Sequence, residues 1–177
     1  MKLKKTISSK YKKMLFIALP ILAFILLADL LTKYFVNKNM ALGAEKDFIP
    51  GFINFVNVHN NGAAWNMLSG NQIFLIVFTF IFLAAYGYFY YRESKNNALF
   101  HVASAFIVGG CIGNLIDRLA FGYVRDMIHL QFWPSFPVFN VADSFVCVGV
   151  ILIIIFYIIC AVKANKKGNK TDGNIQN

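Results

Sequence analysis

The chain is predicted to be a membrane α-helical protein, with four transmembrane helices and a small β-cradle on the extracytoplasmic side. Three observations predict this. Of its 177 residues, 58% are hydrophobic and only 14% charged, against about 25% charged in soluble domains, and its mean hydropathy is +0.59. Four apolar stretches, at 14–36, 73–91, 98–116 and 141–162, each approach the ~20 residues that a bilayer core of about 30 Å requires of a helix. Lysine and arginine then gather beside alternate ends of these stretches, as the positive-inside rule requires.

The basic clusters set the topology. Lys2, Lys4, Lys5, Lys10, Lys12 and Lys13 precede the first stretch, Arg92 and Lys95 lie between the second and third, and Lys163, Lys166, Lys167 and Lys170 follow the fourth. The connection between the first and second balances Lys38 and Lys46 against Glu45 and Asp47. Both termini are therefore expected in the cytoplasm, with 1–13 and 165–177 as cytoplasmic tails of a single polytopic domain spanning 1–177. The net charge of +9 is topological in this reading. It points to anionic membrane lipids as partners and not to nucleic acid.

Each element has its own justification. The first stretch imitates a signal peptide, but no small-x-small cleavage site follows and the apolar run continues through Asp29 and Lys33, so it reads as a retained span. Ile49-Pro50-Gly51 is a turn signal, and "FINFVNVHNNG" after it reads as one or two short strands. Gly109, Gly110 and Gly113 give the third stretch a small-residue patch suited to close helix packing. In "GYVRDMIHLQF", Val124, Asp126, Ile128 and Leu130 alternate with Tyr123, Arg125, Met127 and His129, the period of a strand with two distinct faces. Cys111, Cys147 and Cys160 lie inside spans without metal spacing and read as small buried hydrophobes. Trp65 and Trp133 suit an interfacial belt. The tail from Asn165 onward reads as disordered.

The acidic residues carry the functional information. Glu45, Asp47, Glu93 and Asp172 sit in loops or the tail, whereas Asp29, Asp117, Asp126 and Asp143 lie within or beside apolar sequence. With four spans, all four map toward the outer membrane face. Asp29 has Lys33 at i+4, Asn114 precedes Asp117 and Arg118 by three and four, and Asn140 precedes Asp143 by three. Asp29 with Lys33 and Asp117 with Arg118 read as structural ion pairs. Asp143 suits helix capping. Asp126 has no cation on its own strand face, so it and Asp143 also suit a carboxyl pair in which one holds a proton and the other acts as base. His59 and His129 lie in the outer loops, but their spacing with Asp126 matches no metal motif, and neither metal nor cofactor is expected.

Taken in order, five motifs resemble those of the bacterial lipoprotein signal peptidases, the signal peptidase II family. They are Asp29-x-x-Thr32-Lys33, Asn60-x-Gly62-Ala63-Ala64, Gly109-Gly110-x-x-Gly113-Asn114-x-x-Asp117-Arg118, Gly122-x-Val124-x-Asp126, and Phe139-Asn140-x-Ala142-Asp143-Ser144. The resemblance implies a metal-free intramembrane aspartic endopeptidase with Asp126 and Asp143 catalytic. It implies substrate-binding positions at Asn60, Gly62, Asn114, Arg118 and Asn140, and structural support from Asp29, Lys33 and Asp117. The implied substrate is a diacylglyceryl-modified prolipoprotein, cleaved before its lipidated cysteine. The implied setting is the bacterial inner membrane, with a monomeric, multi-pass enzyme whose site lies near the extracytoplasmic face. Trp65-Asn66 stands where that family often has Phe-Ser, and Arg125 where Val is common. Two rival readings are weaker. An ion relay should cross the membrane, yet these acids gather on one side, and a structural lipid-binding protein has no use for the asparagines.

Overall fold

The computed structural model describes residues 14–93 and 97–173. A π-helical stretch, Met14–Ala18, leads into α1 (Leu19–Asn39), and a hairpin of β1 (Glu45–Ile49) and β2 (Ile53–Asn60) follows. A 3-10 turn at Ala64–Asn66 then precedes α2 (Gln72–Glu93), α3 (Ala98–Phe121), β3 (Val124–Leu130) and α4 (Val141–Gly173). Among the described residues, four helices are long and apolar enough to cross a membrane: Phe16–Asn39, Gln72–Glu93, Ala98–Phe121 and Val141–Lys166. Their outward faces carry large exposed apolar side chains such as Phe24, Leu27, Phe78, Ile81 and Ile154, as expected where hydrocarbon is the solvent.

The inside of the bundle is where polarity collects. Helix α3 is the central rod, packed against α1, α2 and α4, and its glycines set those contacts. A Cβ on Gly110 would collide with the Ala142 carbonyl and lie 2.6 Å from Val146 Cγ2. One on Gly113 would lie 2.7 Å from Asp29 Oδ2 and 3.2 Å from Ala142 Cβ. The small-residue patch therefore lets α1 and α4 close on α3 at the level of the acids.

The three strands form one antiparallel sheet in the order β1-β2-β3. Between Phe55 and Val58 the β2–β3 register shifts, so Val56 and Asn57 together oppose Met127, a bulge that bends the strand. Beyond β3 the chain returns, and Phe139 pairs with Ile128 through backbone bonds of 2.8 and 3.0 Å. That return delivers Asn140 beside Asp126 just before α4 begins.

Several sequence expectations need correction. Glu45 and Asp47 belong to edge strand β1, not to a loop: its exposed, charge-rich sequence carries no alternation signal, and charge is how edge strands are protected. Helix α3 runs five residues beyond the apolar stretch, to a left-handed Gly122 with φ 77°, because Asp117 and Arg118 interrupt hydropathy without interrupting helix. Helix α4 continues through Gly173, so most of the expected disordered tail is helical, and 174–177 lie outside the described residues. Cys147 is exposed and Cys111 and Cys160 are half-buried, which corrects their reading as buried hydrophobes. The tail 1–13 and Lys95 also lie outside the described residues.

Candidate active site

Asp126 and Asp143 reach the same place from different elements. Asp126 sits on β3, 3% exposed, on the face opposite Arg125. Asp143 sits in the first turn of α4. Both line a cavity of about 620 Å³ with Asn60, Asn114, Arg118 and Val124, closed on another side by Phe136 to Phe139 and extended along α3 and α4 by Cys111, Val146 and Cys147.

Three asparagine amides hold the two carboxyls. Asn140 is wholly buried, and its Nδ2 donates to Asp126 Oδ1 at 2.6 Å and to Asn114 Oδ1 at 3.0 Å. Asn60 Nδ2 donates to Asp126 Oδ2 at 2.8 Å, and Asn114 Nδ2 donates to Asp143 Oδ1 at 2.7 Å. Asn140 and Asp143 also form a reciprocal helix cap. The Asp143 N–H donates to Asn140 Oδ1 at 2.9 Å, and the Asn140 N–H donates to Asp143 Oδ2 at 3.2 Å, the logic of a capping box. The helix capping expected of Asp143 is thus present, and the same side chain lines one cavity with Asp126.

The residues around Asn60 explain its neighbours. Asn60 Oδ1 accepts from the Gly62 N–H at 2.9 Å, which closes a tight turn. A Cβ on Gly62 would lie 2.5 Å from the Met67 carbonyl oxygen, so the turn excludes any side chain there. Trp65, Asn66 and Leu68 then take φ values of 52–57°, the left-handed region that costs non-glycine residues energy. Arg118 Nη2 donates to the Gly62 carbonyl at 3.1 Å, and its buried Nε has no hydrogen-bond partner among the described residues. Gly62 and Asn140 thus stand behind the cavity wall, whereas Asn60, Asn114 and Arg118 form part of it.

Behind the pair lies a buried charge cluster. Lys33 Nζ lies 2.7 Å from Asp29 Oδ2 and 3.5 Å from Asp117 Oδ2, and it donates to Asn114 Oδ1 at 2.9 Å. All three charged groups are fully buried. Asp29 Oδ1 accepts the Ala142 N–H at 2.9 Å, satisfying a donor at the start of α4 that has no partner within the helix. The expected Asp29–Lys33 pair is present, but the expected pairing of Asp117 with Arg118 is not. Asp117 instead takes Arg125, through Nη2 at 2.7 Å, Nε at 3.2 Å and the backbone N–H at 2.9 Å. Adjacent residues on a helix point in different directions, so Arg118 turns to the cavity while Asp117 turns to β3.

Electrostatics at Asp126 follow from this enclosure. Burial, and then the Asp143 charge, push its carboxyl up to about 7, against the pull of the Asn60 and Asn140 amides. The outer histidines take other partners. His59 stacks on Tyr123 at 3.9 Å and meets Asn37, and His129 meets Glu45 at 3.1 Å.

Comparison with known proteins fits this geometry. The signal peptidase (SPase) II family matches residues 21–159. Among curated relatives, the lipoprotein signal peptidase of Enterococcus faecalis is 44% identical over 140 residues, covering 79% of this chain and 86% of that one. Those of Lactobacillus johnsonii and Staphylococcus aureus are 39% and 41% identical, covering 88% and 76% of this chain and 99% and 83% of theirs. Two solved structures of a bacterial membrane enzyme, obtained by the in meso method at 2.3 and 1.9 Å, align with TM-scores of 0.76 and 0.73 at 39% identity. They cover 80% and 79% of this chain and 87% and 91% of their own. A family match across most of the chain, on four membrane-length helices and a three-stranded sheet, makes this protein a member of the signal peptidase II family.

Proposed function

We propose that the chain is an intramembrane endopeptidase that cuts a diacylglyceryl-modified prolipoprotein before its lipidated cysteine, with Asp126 and Asp143 as its catalytic pair. Membership of the family makes it an aspartic-type signal peptidase acting on prolipoproteins. The residues and the point of cleavage are the proposal. One observation carries it above the rest: Asn140 joins the two carboxyls, donating to Asp126 while capping Asp143, at the wall of a cavity.

The chemistry follows. Two close carboxyls do not both ionise easily, so near neutrality the pair shares one proton. Asp126, held up to about 7, is the member that keeps it, and Asp143 is the base. The Asp143 carboxylate takes a proton from water as the water oxygen bonds to the scissile carbonyl carbon. Asp126 protonates the carbonyl oxygen; collapse of the tetrahedral intermediate then expels the amine of the lipidated cysteine with the proton taken up by Asp143, while a gem-diol hydroxyl returns its proton to Asp126. The neutral amides of Asn60, Asn114 and Asn140 fix the carboxyls without adding the cation that would force both to ionise. Arg118 lines the same cavity and is the cation placed to meet a substrate carbonyl there.

The setting is part of the same proposal. The chain is a multi-pass membrane protein; its basic clusters favour cytoplasmic termini and a site near the extracytoplasmic face of the inner membrane. A monomer with lipid around α2 and α4 suffices for the cavity. Purified Asp126→Asn and Asp143→Asn variants, incubated with a diacylated precursor, are each expected to lose cleavage while remaining folded and inserted. Wild-type cleavage is expected to survive a chelator. Near-normal cleavage by either variant overturns the assignment, and chelator-sensitive cleavage returns attention to His59 and His129.

A further inference from the structure

We infer that Arg125 is a positioning residue that fixes both members of the proposed catalytic pair at once, by pinning β3 to α3 and by freeing Lys33 to serve Asn114. The inference rests on the aspartate pair proposed above.

The first route is mechanical. Arg125 grips Asp117 with two guanidinium nitrogens and its own backbone N–H, and its guanidinium carbon lies 4.6 Å from the centre of the Phe121 ring. A bidentate arginine–carboxylate pair fixes direction as well as distance. Asp117 and Phe121 lie in the last two turns of α3, so the grip ties the start of β3 to the helix it has just left. Asp126 is the next residue, on the opposite face, so the strand backbone that Arg125 holds is the backbone that carries Asp126.

The second route is electrostatic. The buried cluster contains two carboxylates, Asp29 and Asp117, and two cations, Lys33 and Arg125. Because Arg125 satisfies both oxygens of Asp117, Lys33 is left at 3.5 Å from Asp117, close to Asp29 at 2.7 Å and to Asn114 Oδ1 at 2.9 Å. An Asn114 oxygen engaged by Lys33 and Asn140 leaves its Nδ2 to point at Asp143. Without Arg125, Lys33 would be the single cation between two buried carboxylates and would be drawn toward Asp117. Buried charges left without partners are costly enough to force such a shift. Asn114 would then lose the bond that orients it on Asp143.

The test uses the full-length enzyme and a diacylated precursor, with Arg125→Val, Arg125→Lys and the double variant Arg125→Val with Asp117→Asn. Valine suits a strand, so the fold has a fair substitute. Arg125→Val is expected to lower kcat by about 10- to 100-fold, the scale of an ångström-sized misplacement, with KM within about twofold. Lysine is expected to recover part of the loss, since it keeps the charge without the fork. The double variant is expected to be no worse than Arg125→Val alone, because Arg125 acts through Asp117.

The alkaline limb of the pH profile is expected to move to lower pH in Arg125→Val, as a loosened Asp126 hydrates. The charged groups facing that residue are Asp143 on α4, Lys33 on α1 and Arg118 on α3; none of them is substituted, and the displacement of Lys33 away from Asn114 is part of the expected effect. A kcat within twofold of wild type overturns the inference, as does a loss that only tracks the folded fraction with an unmoved pH profile. Inactive Asp126→Asn and Asp143→Asn alongside a fully active Arg125→Val would sink this inference and leave the aspartate pair standing.

Discussion

Replacing Asn140 separates helix capping from the organisation of the carboxyls. Asn140→Ala removes three side-chain hydrogen bonds: the cap accepted from Asp143 N–H at 2.9 Å, and the donations to Asp126 at 2.6 Å and Asn114 at 3.0 Å. A lost N-cap costs about 1 kcal/mol, and leaving the buried Asp126 Oδ1 without its donor costs about 1–3 kcal/mol more, whereas Asn114 Oδ1 keeps its bond from Lys33. The alanine variant should therefore lose roughly 2–4 kcal/mol. At about 2–4 °C per kcal/mol for a chain of this size, Tm should fall by about 10 °C. Asn140→Ser keeps an equally good capping oxygen but has no amide to reach Asp126. It should be about 1 kcal/mol more stable than the alanine variant, yet cleave about 100-fold more slowly than wild type, as that variant does. Thermal unfolding and initial rates on a diacylated precursor read the two effects separately. A serine variant that cleaves at the wild-type rate would reduce Asn140 to a cap and refute the reasoning.

Two further outcomes follow from the geometry. Asp126 is raised from 3.8 to about 7, so the folded protein holds a proton there that the unfolded chain has released between those values. Its contribution to stability is full below about 4 and is lost as pH rises through about 7, at up to about 1.4 kcal/mol per unit. The same ionisation should depress cleavage above about pH 7, and Asp126→Asn should flatten the stability slope in a Tm-versus-pH series. Gly113→Ala puts a methyl group 2.7 Å from Asp29 Oδ2 and should destabilise by about 1–3 kcal/mol, whereas Gly87→Ala, whose Cβ meets nothing within 4 Å, should be neutral or stabilising in the same unfolding assay.

Much of this architecture was legible because hydrocarbon imposes simple demands. Runs of apolar residues can only be helices there, and the acids that interrupt them stand out. The Asp29–Lys33 pair was readable because both residues share one helix face. What escaped is what depends on chain return. Asp117 meets Arg125 only because Gly122 turns the chain back within a few residues, and no spacing rule links a helix end to the strand that follows it. The double duty of Asn140 needed Phe139 to pair with Ile128 first. Strand β1 was hidden by its charges, and the left-handed run at Trp65, Asn66 and Leu68 has no glycine to announce it.

The glycine contacts of α3 carry a consequence for where the enzyme works. With Gly110 against the Ala142 carbonyl and Gly113 against Ala142 Cβ, the start of α4 is packed on α3 at one level. Asp143, in the first turn of α4, is therefore at a set height on the bundle, and the bundle takes its own height from the apolar lengths of its helices. In the orientation proposed here, the protein is a depth gauge whose mark is the carboxyl pair. A bilayer thicker or thinner than those helices would tilt them or deform around them, carrying the mark away from the plane in which a lipid-tethered bond lies. Membrane thickness then joins peptide sequence as a determinant of what is cut.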